Sequence, residues 1–249
     1  MGVPSLHIYT DLSPPQRLPH KKSWTITIGN FDGVHLGHRY LLSQAKKRSD
    51  ALAVITFRNH PLTVLKNITI PSLASLDHKL LLLKRAHVNL TFALEFSYQL
   101  ASLTAKEFLT EIKRCISFDR LVLGEGAVFG KNRDGTETEV KKIAKELNFH
   151  VEYVPKFCFG GEPISSRRIR DKIVQGELSE ASLLLGRRYS LFVPCSPHIS
   201  LSGFCLPPAG SYLVSINGQK ERIDLETSPP QLTLTKRWNS SKSLIEIIF

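Results

Sequence analysis

Thr25-Ile26-Thr27-Ile28-Gly29-Asn30-Phe31-Asp32-Gly33-Val34-His35-Leu36-Gly37-His38 is the stretch that decides the fold. Alternating β-branched residues over 24–28 predict a buried strand, Gly29 and Gly33 a tight turn, and His35 onward a helix. A strand that empties into a helix N-terminus makes an anion site, because the first amides of the helix have no partner and the dipole end is positive. On such a helix His35 and His38, three apart, share one face. Gly37 between them costs about 1 kcal/mol against alanine in a helix interior, so its presence asks for close approach of a ligand to backbone. A lone histidine is more often a surface or core residue, but two flanking a glycine directly after a strand and a Gly-Asn-Phe-Asp-Gly turn point to a site.

The chain of 249 residues is 42% hydrophobic, enough for one sizeable core and a smaller unit. A formal net charge of +11 favours anionic partners, and the basic residues are dispersed in pairs such as Lys46-Lys47 and Arg187-Arg188 without a polybasic arm. No apolar run reaches the ~18 residues of a membrane span, and the proline-rich, charged first twenty residues lack the apolar centre of a signal peptide. A cytoplasmic protein without a membrane partner is expected. Cys115, Cys158, Cys195 and Cys205 show no Cys-x-x-Cys spacing and read as reduced residues in apolar surroundings.

Strand and helix patterns alternate from there. Strands are predicted at 51–57, about 92–96, 118–124 and 150–155, and helices at about 35–48, 77–87, 104–115 and 136–147. Thr104 and Glu107 have capping-box spacing. Such alternation argues an α/β fold with a doubly wound parallel sheet. In these sheets ligands lie across the carboxyl ends of the strands. Three loops fall there: the histidine stretch, Arg58-Asn59-His60-Pro61, and the glycine-rich residues 125–135.

A fourth loop, Gly160-Gly161-Glu162-Pro163-Ile164-Ser165-Ser166-Arg167-Arg168-Ile169-Arg170, leads into a helix ending near Gly176, with Ser165 or Ser166 as its N-cap. Hydroxyls, helix amides and forked arginines are the donors a polyphosphate needs. A further helix is predicted at 178–185. Beyond Gly186-Arg187-Arg188-Tyr189 the chain turns to prolines, serines and short β-branched runs, with strands at 211–216, 231–235 and 244–249. The domain boundary is expected near Tyr189, giving domains 1–188 and 189–249, the second small and β-rich.

The histidine stretch, Thr56-Phe57-Arg58-Asn59-His60-Pro61, Phe129-Gly130-Lys131, Ile164-Ser165-Ser166-Arg167-Arg168-Ile169-Arg170 and Leu184-Leu185-Gly186-Arg187-Arg188-Tyr189 together resemble the bacterial FAD synthetase (FMN adenylyltransferase) module of the bifunctional riboflavin kinase and FAD synthetase. The likeness covers most of residues 20–190. It implies a nucleotidyltransferase of Rossmann-like fold with ATP and FMN as substrates, and Mg2+ bridging phosphates without a dedicated carboxylate cage. Asp32 is the nearest candidate for the metal and equally a helix cap. By the same resemblance His35, His38 and Arg170 carry the chemistry, the histidines as imidazolium beside a polyanion. Gly29, Asn30, Phe31, Asp32, Gly37, Ser165, Ser166, Arg167 and Arg168 hold ATP, and Phe57, Asn59, Pro61, Gly124 and Phe129 hold FMN.

Two departures fall inside the motifs. Arg167 stands where the family usually has Thr, and Gly126-Ala127 where it usually has Asp or Asn followed by Phe. The second change removes a polar and an aromatic contact expected near the flavin, and Gly126→Asp with Ala127→Phe is expected to tighten FMN binding. Between Tyr189 and Leu206 the kinase's glycine-rich loop and Gly-Phe-Pro-Thr-Ala-Asn motif are missing, so a degenerate barrel without kinase activity is expected. The alternatives are a fully bifunctional enzyme or adenylyl transfer to another phosphate-bearing acceptor. A class I aminoacyl-tRNA synthetase fragment should carry a Lys-Met-Ser-Lys-Ser type loop, yet the only methionine is Met1. A nucleic-acid partner is not expected, since no basic or aromatic reading surface stands out.

Overall fold

The computed structural model describes residues 6–13, 24–49, 51–196, 198–216, 218–234 and 244–249. Position 235 of the second expected C-terminal strand, and most of the first twenty residues, lie outside them. Packing divides the chain into two compact units, one of Met1–Phe31, Gly37–Thr69 and Leu82–Phe157, the other of Asp32–Leu36, Ile70–Leu81 and Cys158–Phe249.

The first unit is built on a six-stranded parallel sheet of β1 (His7–Tyr9), β2 (Trp24–Ile28), β3 (Leu52–Phe57), β4 (Leu90–Leu94), β5 (Phe118–Gly124) and β6 (His150–Val154). Their spatial order is β1-β4-β3-β2-β5-β6, so successive strands run outward in opposite directions from β2 and β5 and the topological switch point lies between those two. Between the strands come α1 (Leu36–Lys46), α2 (Pro61–Lys66), α3 (Leu76–Arg85, divided between the units after Leu81), α4 (Tyr98–Ala101), α5 (Ala105–Cys115) and α6 (Glu137–Glu146). The capping box expected at Thr104 and Glu107 is present at the start of α5. One face of the sheet buries Trp24, Ile26, Ile55 and Phe92 in a cluster with Leu109 and Ile112 of α5 and Val140 and Ile143 of α6. Thr25, Thr27, Val54, Thr91 and Val122, which alternate with these, are also fully buried. Burial on both faces explains why the strands read as nearly continuous apolar runs.

The second unit holds a hairpin of β7 (Cys158–Phe159) and β8 (Glu162–Pro163), then α7 (Ser166–Val174) and α8 (Leu178–Leu185). It continues into β9 (Ser190–Pro194), β10 (His198–Ser200), β11 (Gly210–Ile216), β12 (Gln219–Thr227), β13 (Pro230–Leu234) and β14 (Leu244–Ile248), an antiparallel sheet ordered β10-β13-β12-β11-β14-β9. Ile169 and Ile173 of α7 and Leu184 and Leu185 of α8 share one apolar cluster with Val193, Val214, Ile223, Ile245 and Ile247. This burial, worth ~1.5–3 kcal/mol for each large aliphatic side chain, is why residues 158–188 pack with the β-rich part, so the packing division does not coincide with the boundary expected at Tyr189. Both layers of the predicted architecture, parallel α/β and β-rich, are present.

Candidate functional site

Backbone strain is concentrated in the histidine stretch. Phe31 (φ 50°), Gly33 (φ 74°) and Val34 (φ 39°) all lie in the left-handed region, which a β-branched valine adopts only under constraint. A Cβ on Gly33 would stand 2.9 Å from the Cβ of Leu73, so glycine is required there. A short 3-10 turn spans Asp32–Val34, and α1 begins at Leu36. His35 therefore immediately precedes the helix and His38 lies in its first turn, because the 3-10 turn ends at Val34. Gly37 is the second residue of α1.

In the second unit Asp32 is the hub. Its side chain is 7% exposed, one oxygen accepts the Leu73 N–H at 2.9 Å, and the other takes Nη1 of Arg170 at 2.7 Å. Ser166 Oγ donates to the Asp32 carbonyl at 3.0 Å, and Nη2 of Arg187 donates to the Gly33 carbonyl at 2.7 Å. Burial raises the Asp32 pKa, opposed by Arg170, the Leu73 amide and Lys79. Lys79 on α3 is itself buried, which lowers its pKa to about 8 against the opposing pull of Asp32. His35, 4% exposed, is pushed down to about 3 by burial and by the guanidiniums of Arg187 and Arg170. Burial and the two guanidiniums thus favour a neutral His35 ring, whereas the polyanion invoked in the expectation pulls the other way. Lys79 and Arg170 act on the Asp32 carboxylate and Arg187 stands on the neighbouring Gly33 carbonyl, a positive excess suited to a polyanion.

Ser165 is the N-cap of α7, its Oγ accepting the Arg168 N–H at 3.2 Å, which decides between the two expected serines. The Arg168 side chain clasps the β7–β8 hairpin instead of standing open, donating to the carbonyls of Phe159 and Glu162 at 3.1 Å each. Arg167 is exposed beside it on the first turn. Both oxygens of Asp32 are thus engaged within the chain, one by Leu73 and one by Arg170. Among the described residues no three His, Cys, Asp or Glu side chains gather as a metal cage.

In the first unit the Gly29 amide donates to Ile55 O at 3.0 Å and Thr56 Oγ1 donates to Asn30 O at 2.9 Å, so the end of β3 holds the glycine turn. The Phe31 ring lies 5.0 Å from that of His38. Past the carboxyl ends of β3 and β4 lies a cavity of about 260 Å³ lined by Phe57, Phe96, Leu100, Phe108, Phe129 and Arg133. Two aromatic edge contacts shape it, Phe57 on Phe96 at 5.2 Å and Phe108 on Phe129 at 6.1 Å. Of the expected FMN residues, Phe57 and Phe129 face this cavity. Pro61 opens α2, where a missing N–H is harmless. The Asn59 amide is committed to the main chain of Phe96, donating to its carbonyl at 2.9 Å and accepting its N–H at 2.8 Å. Gly124 ends β5 at the switch point.

The protein-family model described as FAD synthetase matches residues 18–168. The chain belongs to the FAD synthetase family. A FAD synthetase of Listeria monocytogenes serovar 1/2a is 34% identical over 75% of this chain and 79% of that protein. Bifunctional riboflavin kinase/FMN adenylyltransferases of the same organism and of Escherichia coli K12 are 33% and 32% identical, and the match spans only 54% and 55% of their lengths. A crystal structure titled macrolide-efflux protein from Streptococcus pneumoniae superposes with a TM-score of 0.77 at 23% identity, covering 98% of this chain and 89% of that one, a likeness of fold alone. The chain is thus a nucleotidyltransferase-family enzyme with a Rossmann-like sheet.

Sequence reasoning on this FAD synthetase missed Lys79, Arg187, Phe96 and Phe108. Lys79 reads as an ordinary cation on an amphipathic helix, and only the fold buries it. Arg187 carried a signal in its Gly-Arg-Arg-Tyr setting but was set aside as a domain junction. The expectation that all four cysteines sit in apolar surroundings fails at Cys158, which is exposed on β7. Among the described residues no helix is long and apolar enough to cross a membrane.

Proposed function

We propose that this FAD synthetase transfers AMP from ATP to the phosphate of FMN, releasing FAD and pyrophosphate. The observation that carries the reading is the aromatic cavity at the carboxyl edge of the parallel sheet, in a chain whose Asp32–His35 segment and α7 offer a cationic excess. A planar ring system suits walls of Phe57, Phe96, Phe108 and Phe129, and the volume, about 260 Å³, is close to the lower end of ligand pockets, ~300 Å³.

An FMN phosphate oxygen attacks the α-phosphorus in line, the bond from that phosphorus to the bridging oxygen of the β-phosphate breaks, and pyrophosphate departs with the electron pair. No covalent enzyme intermediate is needed, so the residues act by positioning and by stabilising charge. His38 and the neutral His35 donate ring N–H groups to ATP oxygens. Arg170, oriented by Asp32, turns its other guanidinium N–H groups to the phosphates with Arg167 beside it, and Gly29, Asn30, Phe31 and Gly37 give backbone room. Ser165, Ser166 and Asp32 hold these donors in register, and Arg168 fixes the hairpin next to them. Phe57 and Phe129 take the flavin ring, supported by Asn59 and Pro61, with Gly124 leaving space at the end of β5. Magnesium comes as the counter-ion of the ATP it accompanies and neutralises phosphate charge.

On this reading residues 189–249 are a degenerate kinase barrel, which packs with α7 and α8 of the preceding 1–188. They contain no glycine-rich segment to wrap ATP phosphates, so these residues do not phosphorylate riboflavin. The setting is cytoplasmic and the partners are small molecules, not nucleic acid. Incubation with ATP, magnesium and a panel of FMN, nicotinamide mononucleotide, phosphopantetheine and glycerol phosphate tests the reading. Pyrophosphate is expected with FMN alone, and release with another acceptor but not with FMN would overturn it. His38→Ala is expected to lower turnover by about 10² or more, as loss of a preorganised donor does.

A further inference from the structure

The turn after β5 carries a glycine beneath a cation. The Ala127 N–H donates to Gly124 O at 3.0 Å, closing a turn with Glu125 and Gly126 at its tip, and Gly126 has φ +76°. A side-chain carbon built on Gly126 would lie 3.9 Å from Nζ of Lys156, two residues past the end of β6. The Lys156 main chain is fixed in place. Its N–H donates to Glu125 Oε2 at 3.3 Å, the Glu125 N–H donates to Val154 O at 2.8 Å, and the next residue, Phe157, stacks on Tyr40 of α1 at 5.2 Å. The main chain that carries the exposed Lys156 is thus fixed beside the turn, and its Nζ lies over Gly126 at the switch point, where parallel sheets bind their ligands.

The same loop continues to Phe129 and Gly130, which line the aromatic cavity. Phe129 is three positions on from Gly126, at most about 10 Å of chain. A ring system seated in the cavity with a phosphate on a short flexible tail reaches the turn.

We propose that Lys156 recognises the phosphate monoester of the acceptor, its Nζ lying where a side chain at position 126 would touch it. The inference rests on the FMN adenylyltransferase reading and names a specificity residue of that site. It also reverses the expectation from sequence for the glycine. An aspartate there would set a carboxylate against Lys156 and against the incoming phosphate, so Gly126→Asp weakens FMN binding.

FMN and riboflavin differ only by the phosphate, so titrating both by flavin fluorescence against wild type, Lys156→Met, Lys156→Arg and Gly126→Asp isolates the contact. Wild type should prefer FMN. Lys156→Met should lower that preference about tenfold or more, the scale of a lost charge-assisted hydrogen bond, with riboflavin affinity and thermal midpoint unchanged. Lys156→Arg should keep most of the preference, and Gly126→Asp should lose it. An unchanged FMN preference in Lys156→Met, or an equal weakening of both flavins, would overturn the proposal while FAD synthesis by wild type still stood. Wild type that makes no FAD from FMN and ATP would overturn the functional reading beneath it.

Discussion

His35 is the residue whose environment speaks most directly to chemistry. Buried next to Arg170 and Arg187, its pKa falls from the usual 6.5 to about 3. Between those values the unfolded chain binds a proton that the folded chain does not, so stability rises with pH through this window and is lost as pH falls from 6.5 towards 3. The slope is about 1.4 kcal/mol per pH unit, or roughly 2 kcal/mol between pH 6.5 and 5. Urea denaturation at those two pH values should show this loss in wild type and not in His35→Asn. Equal losses in both proteins would mean that His35 is charged in the fold. Lys79 acts in the opposite range: lowered to about 8, it charges at a penalty that is full below pH 8 and relieved as pH rises towards 10.5. Neither shift is legible in sequence, since each depends on which segments the fold stacks over the side chain.

At the scale of elements, the β3–α2 loop shows how a residue chosen for ligand contact can serve the pocket indirectly. Asn59 ties its amide to both main-chain groups of Phe96, extending the pairing of β3 and β4 beyond their ends and fixing a cavity wall. Asn59→Ala leaves those groups without this partner, at about 1–3 kcal/mol, and should raise the FMN dissociation constant several-fold without changing ATP affinity. An unaltered FMN titration would place Phe96 outside the flavin site. Strands of the parallel sheet and the caps at Thr104 and Ser165 were legible because apolar runs and capping residues are local signals. Strand β1, only three residues long, and the β7–β8 hairpin were not, because β1 exists through pairing with β4 and the hairpin through the clasp of Arg168. For the same reason the roles of Asn59 and Arg168 changed once their partners were visible, whereas the strained Gly29–His38 stretch declared itself through its glycines and histidines.

For the molecule as a whole, the residues read as the end of the first domain contribute α7 and α8 to the second apolar cluster, so the cationic segment and the β-rich sheet are one packed unit. That gives the β-rich part a structural task independent of any kinase chemistry. It accords with a match spanning about half the length of the bifunctional relatives and 79% of a FAD synthetase. The most direct measurement supplies the purified protein with ATP and magnesium, together with either FMN or riboflavin, and separates the flavins by chromatography. The account predicts FAD and pyrophosphate from FMN, and neither FMN nor FAD from riboflavin. Formation of FMN from riboflavin at a rate comparable to FAD synthesis, or failure to convert FMN while ATP is consumed with another acceptor, would contradict it.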